Sequence, residues 1–194
     1  MCLTVFLLAD RPLPVPPDET TYPGLRLYPV EADYQSETLA GIQRIAAAEF
    51  VYNVSPAGYC GCFFGYEATQ EFQAEMAERA ANPDSQYAGT PEQAETMWRG
   101  RMDAVKSFDR YLAAHLEARL AVYTVWEHCA GQKAPVRAAV PPSYFGGPAF
   151  ERLPEDVLLT VVSEPAAEVN PCWDPAARRT HEWLGHQQSC ELPE

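Results

Sequence analysis

Basic residues are scarce in this chain, which has 14 lysine and arginine residues against 27 aspartate and glutamate residues and a formal net charge of −13. Nucleic acids and anionic membrane surfaces are themselves negatively charged, so a field of this sign disfavours both as partners. Long hydrophobic runs are also missing, because the longest one, Val5 to Ala9, falls far short of the ~20 residues that span a bilayer. The sequence therefore predicts a protein that binds neither nucleic acid nor membrane.

The first residues lack the signals of secretion. No basic residue precedes the apolar run, and Asp10-Arg11-Pro12 follows it directly, which argues against a secretory signal peptide. We therefore expect a cytoplasmic protein, whose thiols stay reduced. Its six cysteines are then better interpreted as packing residues, metal ligands or nucleophiles than as three disulfides.

The composition is that of an ordinary globular protein, with 47% hydrophobic and 21% charged residues. Strand-like and helix-like segments follow one another without strict alternation, which predicts an α+β fold with a mixed β-sheet packed against two or three helices. Pro29 indicates that its strand lies at an edge. We expect a single domain over residues 1–164, and a C-terminal extension over 165–194 that packs on it or is partly mobile. The predicted strands are 3–8, 25–30, 51–54, 59–64, 120–126 and 157–162.

Three segments have apolar residues at helical spacing and are predicted to be helices. The first begins at a capping Ser36 and carries Leu39, Ile42, Ile45 and Phe50 on one face. The second covers about 68–81. The third and longest covers about 91–117, because Thr90-Pro91-Glu92-Gln93 forms a capping box with proline at the first helical position. Its predicted apolar stripe is Trp98, Met102, Val105, Phe108, Leu112 and Leu116.

A proline- and glycine-rich connection is expected between the last two strands, over residues 131–156. A connection of this length is uncommon unless it is functional or mobile. Tyr144 and Phe145 within it are therefore either a lid or two aromatics that pin a surface loop.

Cys60-Gly61-Cys62 is the strongest indication of chemistry. Residues two apart on a strand point to the same face, so both sulfurs would project together. Cys2 opens the first strand, and Cys129 follows the strand that ends at Trp126. If those two strands are antiparallel neighbours, Cys2 and Cys129 fall at the same end of the sheet.

One interpretation is a tetrahedral metal site, with zinc as the expected ion. Its ligands would be Cys2, Cys60, Cys62 and either Cys129 or His128. The familiar Cys-x-x-Cys pairs of zinc sites are missing. Small buried thiols are the alternative interpretation, because cysteine is among the most buried residue types.

The tail holds a second cluster of metal-ligating residue types: Cys172, His181, His186 and Cys190. The two histidines are five residues apart, which separates them by about 140° on a helix instead of the roughly 40° of the zincin motif. We therefore favour a solvated tail over a metallopeptidase, and a structural metal held with non-helical geometry is the remaining alternative.

Cys2 is also compatible with a catalytic role. If Met1 is removed, the freed α-amine, with an ordinary pKa near ~8, can act as the general base of an N-terminal-nucleophile amidohydrolase. Class II glutamine amidotransferases resemble the chain only in Met1-Cys2 and the following strand, and their next residue, glycine, is Leu3 here.

Three short motifs resemble a family of uncharacterised bacterial proteins. They are Met1-Cys2-Leu3, Asp10-Arg11-Pro12-Leu13-Pro14 and Cys60-Gly61-Cys62-Phe63. The family shares an opening Met-Cys-Leu strand, a Pro-Leu-Pro and a Gly-Cys-Gly-Cys-like segment. The resemblance covers about the first third of the chain and the strand from Tyr123 to Glu127. It implies no activity. The sequence thus favours a binding or interaction module with a protein partner or a second copy of itself, and keeps the hydrolase as the alternative.

Overall fold

The computed structural model describes residues 3–16, 20–30, 36–56, 74, 77–78, 81–82, 91–126, 136–146 and 157–163. These residues form one mixed sheet with helices on both faces, so the predicted α+β fold is confirmed. The strands are β1 (Leu3–Ala9), β2 (Leu25–Pro29), β3 (Phe50–Pro56), β4 (Leu120–Trp126), β5 (Val136–Val140) and β6 (Val157–Val161). Three helices have both ends within the described residues: α1 (Ser36–Ala46), α2 (Pro91–Ala114) and α3 (Ser143–Gly146).

The strand order is β2-β3-β1-β4-β6-β5. All neighbours are antiparallel except β5 and β6, which run parallel. β1 is a central strand, because it lies between β3 and β4. Among the described strands β2 lies at one edge, where the missing N–H of Pro29 does not interrupt a ladder.

One face of the sheet packs against α2 and α3. Alternate residues of each strand point to this face, for example Val5 and Leu7 of β1, which are fully buried. Phe108 of α2 meets Phe145 of α3 edge to face, with ring centroids 5.4 Å apart. The helix residues buried in this layer are Ala104, Val105, Phe108, Tyr111, Leu112, Tyr144 and Phe145.

The opposite face packs against α1. Leu39 and Ile42 of that helix lie on Phe6, Leu8 and the neighbouring apolar residues of β3, β4 and β6. The helix ends where Ala47 adopts a left-handed φ of 49°. Both faces of β1 are therefore buried, which explains why its sequence is apolar at almost every position.

The segment between β1 and β2 crosses the first face beside α2. Its contacts follow the helix in order: the Tyr111 hydroxyl donates to the Pro14 carbonyl at 2.9 Å, and the Ser107 hydroxyl donates to the Pro23 carbonyl at 2.8 Å. About two turns further toward the helix start, Gly24 lies against the backbone of Gly100. The Gly100 part of α2 is therefore beside the start of β2, and the Tyr111 part is beside the segment that leaves β1.

Four local predictions need correction. The long helix ends at Ala114 and not near residue 117. Phe50 begins β3 and does not continue the first helix, whose last residue is Ala46. The 131–156 connection contains a strand, β5. It was not predicted, because prolines flank this short segment of alternating residues. The lid interpretation is wrong, because Phe145 is completely buried against the core.

The apolar stripe of α2 is also displaced from the predicted one. Val105, Phe108 and Leu112 are buried as expected, but Trp98 and Met102 are only half-buried. The helix is rotated so that Arg101 takes a core-facing position. This rotation follows from burial of Ala104 and Tyr111, which share a face with residue 101 at helical spacing.

Other predictions lie outside the described residues, or only partly within them. Ala74, Ala77, Glu78 and Ala81 are helical, in agreement with the predicted 68–81 helix. The 59–64 strand, the C-terminal extension and every cysteine lie outside the described residues. Within the described segments, no helix has the length and apolar character needed to cross a membrane.

Candidate functional site

The chain segments that carry the predicted thiols leave the sheet at one end. β1 runs antiparallel to both neighbours, with Val5 opposite Val54 in β3 and Leu3 opposite Trp126 in β4. The start of β1 therefore lies beside the last residues of β3 and β4. We call this end, formed by Leu3, Pro56 and Trp126, the cysteine end of the sheet.

Four of the predicted site residues are close in sequence to this end. Cys2 directly precedes β1, and Cys129 follows β4 by three residues. Cys60 and Cys62 follow β3 by four and six residues. His128, the other predicted fourth ligand, follows β4 by two residues, and all five positions lie outside the described residues.

Chain length permits these residues to meet. Neighbouring strands lie about 4.8 Å apart, so β3 and β4, which flank β1, are separated by about 10 Å. Each further residue can extend the chain by at most about 3.5 Å. All four cysteines are therefore within reach of a common point beyond the cysteine end, as a zinc ion with bonds of about 2.3 Å to sulfur requires.

A buried positive charge lies near the same end. Gly24, next to the β2 residue that pairs with Pro56, is in contact with Gly100, so this part of α2 is at the cysteine end. The following residue, Arg101, is 1% exposed, and its guanidinium lies 5.4 Å from the centre of the Trp98 ring. Burial lowers the pKa of Arg101 to about 10, so it remains charged at neutral pH.

Buried hydroxyls are also concentrated in the last strand residues before this end. Thr4 and Ser55 are each 8% exposed, and the register that pairs Val5 with Val54 sets them side by side on the α1 face. Thr124, opposite Val5, is 1% exposed on the α2 face. At the other end of the same strands the Tyr52 hydroxyl of β3 is also buried, and it is hydrogen-bonded to Leu13.

The sequence did not single out Arg101, although one signal was available. Residue 101 stands three, four and seven positions before Ala104, Val105 and Phe108, which is the spacing of a shared helix face. A basic residue at a core position is unusual, since arginine is almost never fully buried. Within the described ranges, no three histidine, cysteine, aspartate or glutamate side chains form a group able to hold a metal ion.

The fold thus defines an α+β protein whose central sheet is covered on both faces and whose cysteine end has buried hydroxyls and one buried arginine near it. No protein-family model, curated protein or solved structure matches this chain. Membership of the bacterial family that the three short motifs resemble stays a prediction.

Proposed function

We propose that this protein is a cytoplasmic binding module that holds a metal ion, with zinc as the expected ion, or another ligand through Cys2, Cys60 and Cys62. Cys129 is the preferred fourth ligand, and His128 is the substitute. The observation that carries this proposal is the antiparallel register of β3, β1 and β4, since it brings the three flanking chain segments to one end of the sheet.

The charge near that end supports thiolate ligands. A neighbouring cation lowers the pKa of a thiol, and the thiolate is the form that binds metals. Arg101 supplies a buried cation on the part of α2 that lies beside the start of β2, at this end of the sheet.

The excess of acidic residues limits which kind of partner the module can bind. A net charge of −13 disfavours nucleic acid, so the module is proposed to act on a protein partner or on a second copy of itself. A structural or sensing metal would then order the segments that such a partner contacts.

Native mass spectrometry of untagged protein, purified without chelator, tests the proposal. We expect one zinc ion per chain, and its loss when Cys60 and Cys62 are both changed to alanine. The matched control changes Cys172 and Cys190 to alanine, which removes two tail thiols and should leave the metal content intact. Metal that follows the tail cysteines instead would overturn the proposed site.

The same spectrum tests the alternative, an amidohydrolase that uses Cys2 as its nucleophile. The position of β1 between β3 and β4 favours it, because residue 2 directly precedes a central strand. This alternative requires that Met1 be absent from the mature chain. A metal-free protein that lacks Met1 and reacts at Cys2 with a thiol-directed amide analogue would replace the metal proposal, whereas retained Met1 excludes the hydrolase.

A further inference from the structure

Residues 11–16, which we call the proline segment, have an exposure pattern with a period of three. Leu13 is 6% exposed and Pro16 is half-buried. The four remaining residues of the segment are exposed, namely Arg11, Pro12, Pro14 and Val15. A polyproline II helix has three residues per turn, so one of its three ridges faces the protein and two face solvent.

The sequence of the segment favours the same conformation. Proline occupies every second position from 12 to 16, and each fixes its own φ near −65°. The residue before a proline is restricted to extended conformations as well. Every position of the segment is therefore biased toward polyproline II.

Two tyrosine hydroxyls hold the segment in place. The Tyr52 hydroxyl accepts a hydrogen bond from the Leu13 N–H at 2.7 Å and lies 3.4 Å from the Leu13 carbonyl oxygen. The Tyr111 hydroxyl donates to the Pro14 carbonyl at 2.9 Å. These bonds engage the buried side of the segment, so its exposed ridges are presented in a fixed conformation.

Arg11 adds a charge at the beginning of the exposed ridges. Its side chain is 53% exposed, and its Nε forms an ion pair with the Asp10 carboxylate at 3.6 Å, a distance longer than a hydrogen bond. Asp10 is instead bound by Arg119, at 3.0 Å to the backbone nitrogen and 3.1 Å to Nε. The guanidinium of Arg11 therefore keeps donors for a carboxylate on another molecule.

We propose that the proline segment is a docking site for a protein domain that recognises polyproline II helices through an aromatic-lined groove, with an acidic side chain of that domain pairing with Arg11. Domains of this kind bind two exposed ridges of a preformed polyproline II helix. The segment offers both ridges with its ordering cost already met by folding, which favours affinity. This inference is independent of the thiolate site.

Calorimetric titration of the full chain with purified SH3, WW and EVH1 domains tests the inference. We expect at least one domain to bind, and Val15→Asp to weaken that binding roughly tenfold by placing a charge on an exposed ridge. Arg11→Ala should weaken it as well. The matched control is Tyr28→Ala, which removes a 54% exposed aromatic from β2 and should leave the affinity unchanged.

The role of the two tyrosines gives a second readout. Tyr111→Phe removes the hydrogen bond to Pro14 while leaving the exposed ridges intact, so it should weaken binding roughly fivefold through lost preorganisation. A free peptide of residues 10–18 should bind more weakly than the full chain for the same reason. Absence of binding by all three domains at millimolar concentration, or tighter binding by the peptide than by the folded chain, would overturn the proposal.

Discussion

Replacing Gly24 by alanine is expected to destabilise the protein by about 2–5 kcal/mol. Gly24 has a φ of 73°, a left-handed conformation that costs a residue with a side chain about 1–2 kcal/mol. A Cβ at this position would also lie 2.7 Å from the Gly100 carbonyl oxygen and 3.1 Å from the Ala104 nitrogen. These are backbone atoms of α2, so the helix must move away from the start of β2, and overpacking of this kind costs about 1–3 kcal/mol.

Gly100 provides a matched control within the same contact. No atom lies within 4 Å of the Cβ that alanine would add there, and the residue is inside α2. Gly100→Ala should therefore raise the stability by about 0.5–1 kcal/mol through helix propensity alone. Urea denaturation followed by circular dichroism measures both variants. If Gly24→Ala unfolds at the same urea concentration as the wild type, the close approach of β2 to α2 and the reasoning built on it are refuted.

Three further variants test other parts of the fold. Ala47→Gly should raise the free energy of unfolding by about 0.5–1 kcal/mol, because it relieves the φ of 49° after α1; a loss of stability in thermal denaturation would contradict this. Asp10→Asn should lower stability at neutral pH, since the hydrogen bond from the Arg119 N–H holds the pKa of Asp10 below its ordinary value of 3.8. The carboxylate of Asp10 therefore stabilises the folded state above pH 3.8, and this stabilisation is lost as the pH falls through the lowered pKa of Asp10. The unfolding curves of variant and wild type should converge in acid and differ at neutral pH. Phe108→Leu and Phe145→Leu should together cost less than the sum of the two single changes by about 0.5–1.5 kcal/mol, and simple additivity would show that the two rings do not stabilise each other.

The sequence predicted the strands and helices with the clearest periodicity. β1 and β4 were predicted as strands, and α2 was predicted as a helix because its capping box and apolar spacing coincide. β5 was missed, since Val136–Val140 is a five-residue strand between Pro135 and Pro141. Short strands beside prolines have the sequence pattern of a loop, and only pairing with β6 distinguishes them.

The candidate site was predictable only in part, because it depends on the order of the strands. The sequence indicated which cysteines belong together only on the condition that β4 runs antiparallel beside β1, and this strand pairing is confirmed. No pattern revealed that β3 flanks β1 on the other side, because strand order depends on contacts that are distant in sequence. Arg101 was missed for a related reason: its burial depends on the rotation of α2, which the packing of Ala104 and Tyr111 sets.

The two proposed sites lie toward opposite ends of the sheet. The proline segment begins where β1 ends, and the cysteine end lies where β1 starts, seven residues and about 20 Å away. Among the described elements, α2 approaches both, through Tyr111 at one end and Arg101 at the other, and the strands β1 and β3 run from one end to the other. A change confined to exposed residues at one end should therefore leave the other unaltered. Val15→Asp is expected to keep the full metal content, and the double Cys60 and Cys62 variant is expected to keep the affinity for the polyproline-binding domain. A loss of both properties in either variant would mean that the elements shared by the two ends couple them, and the sites would then have to be treated as one.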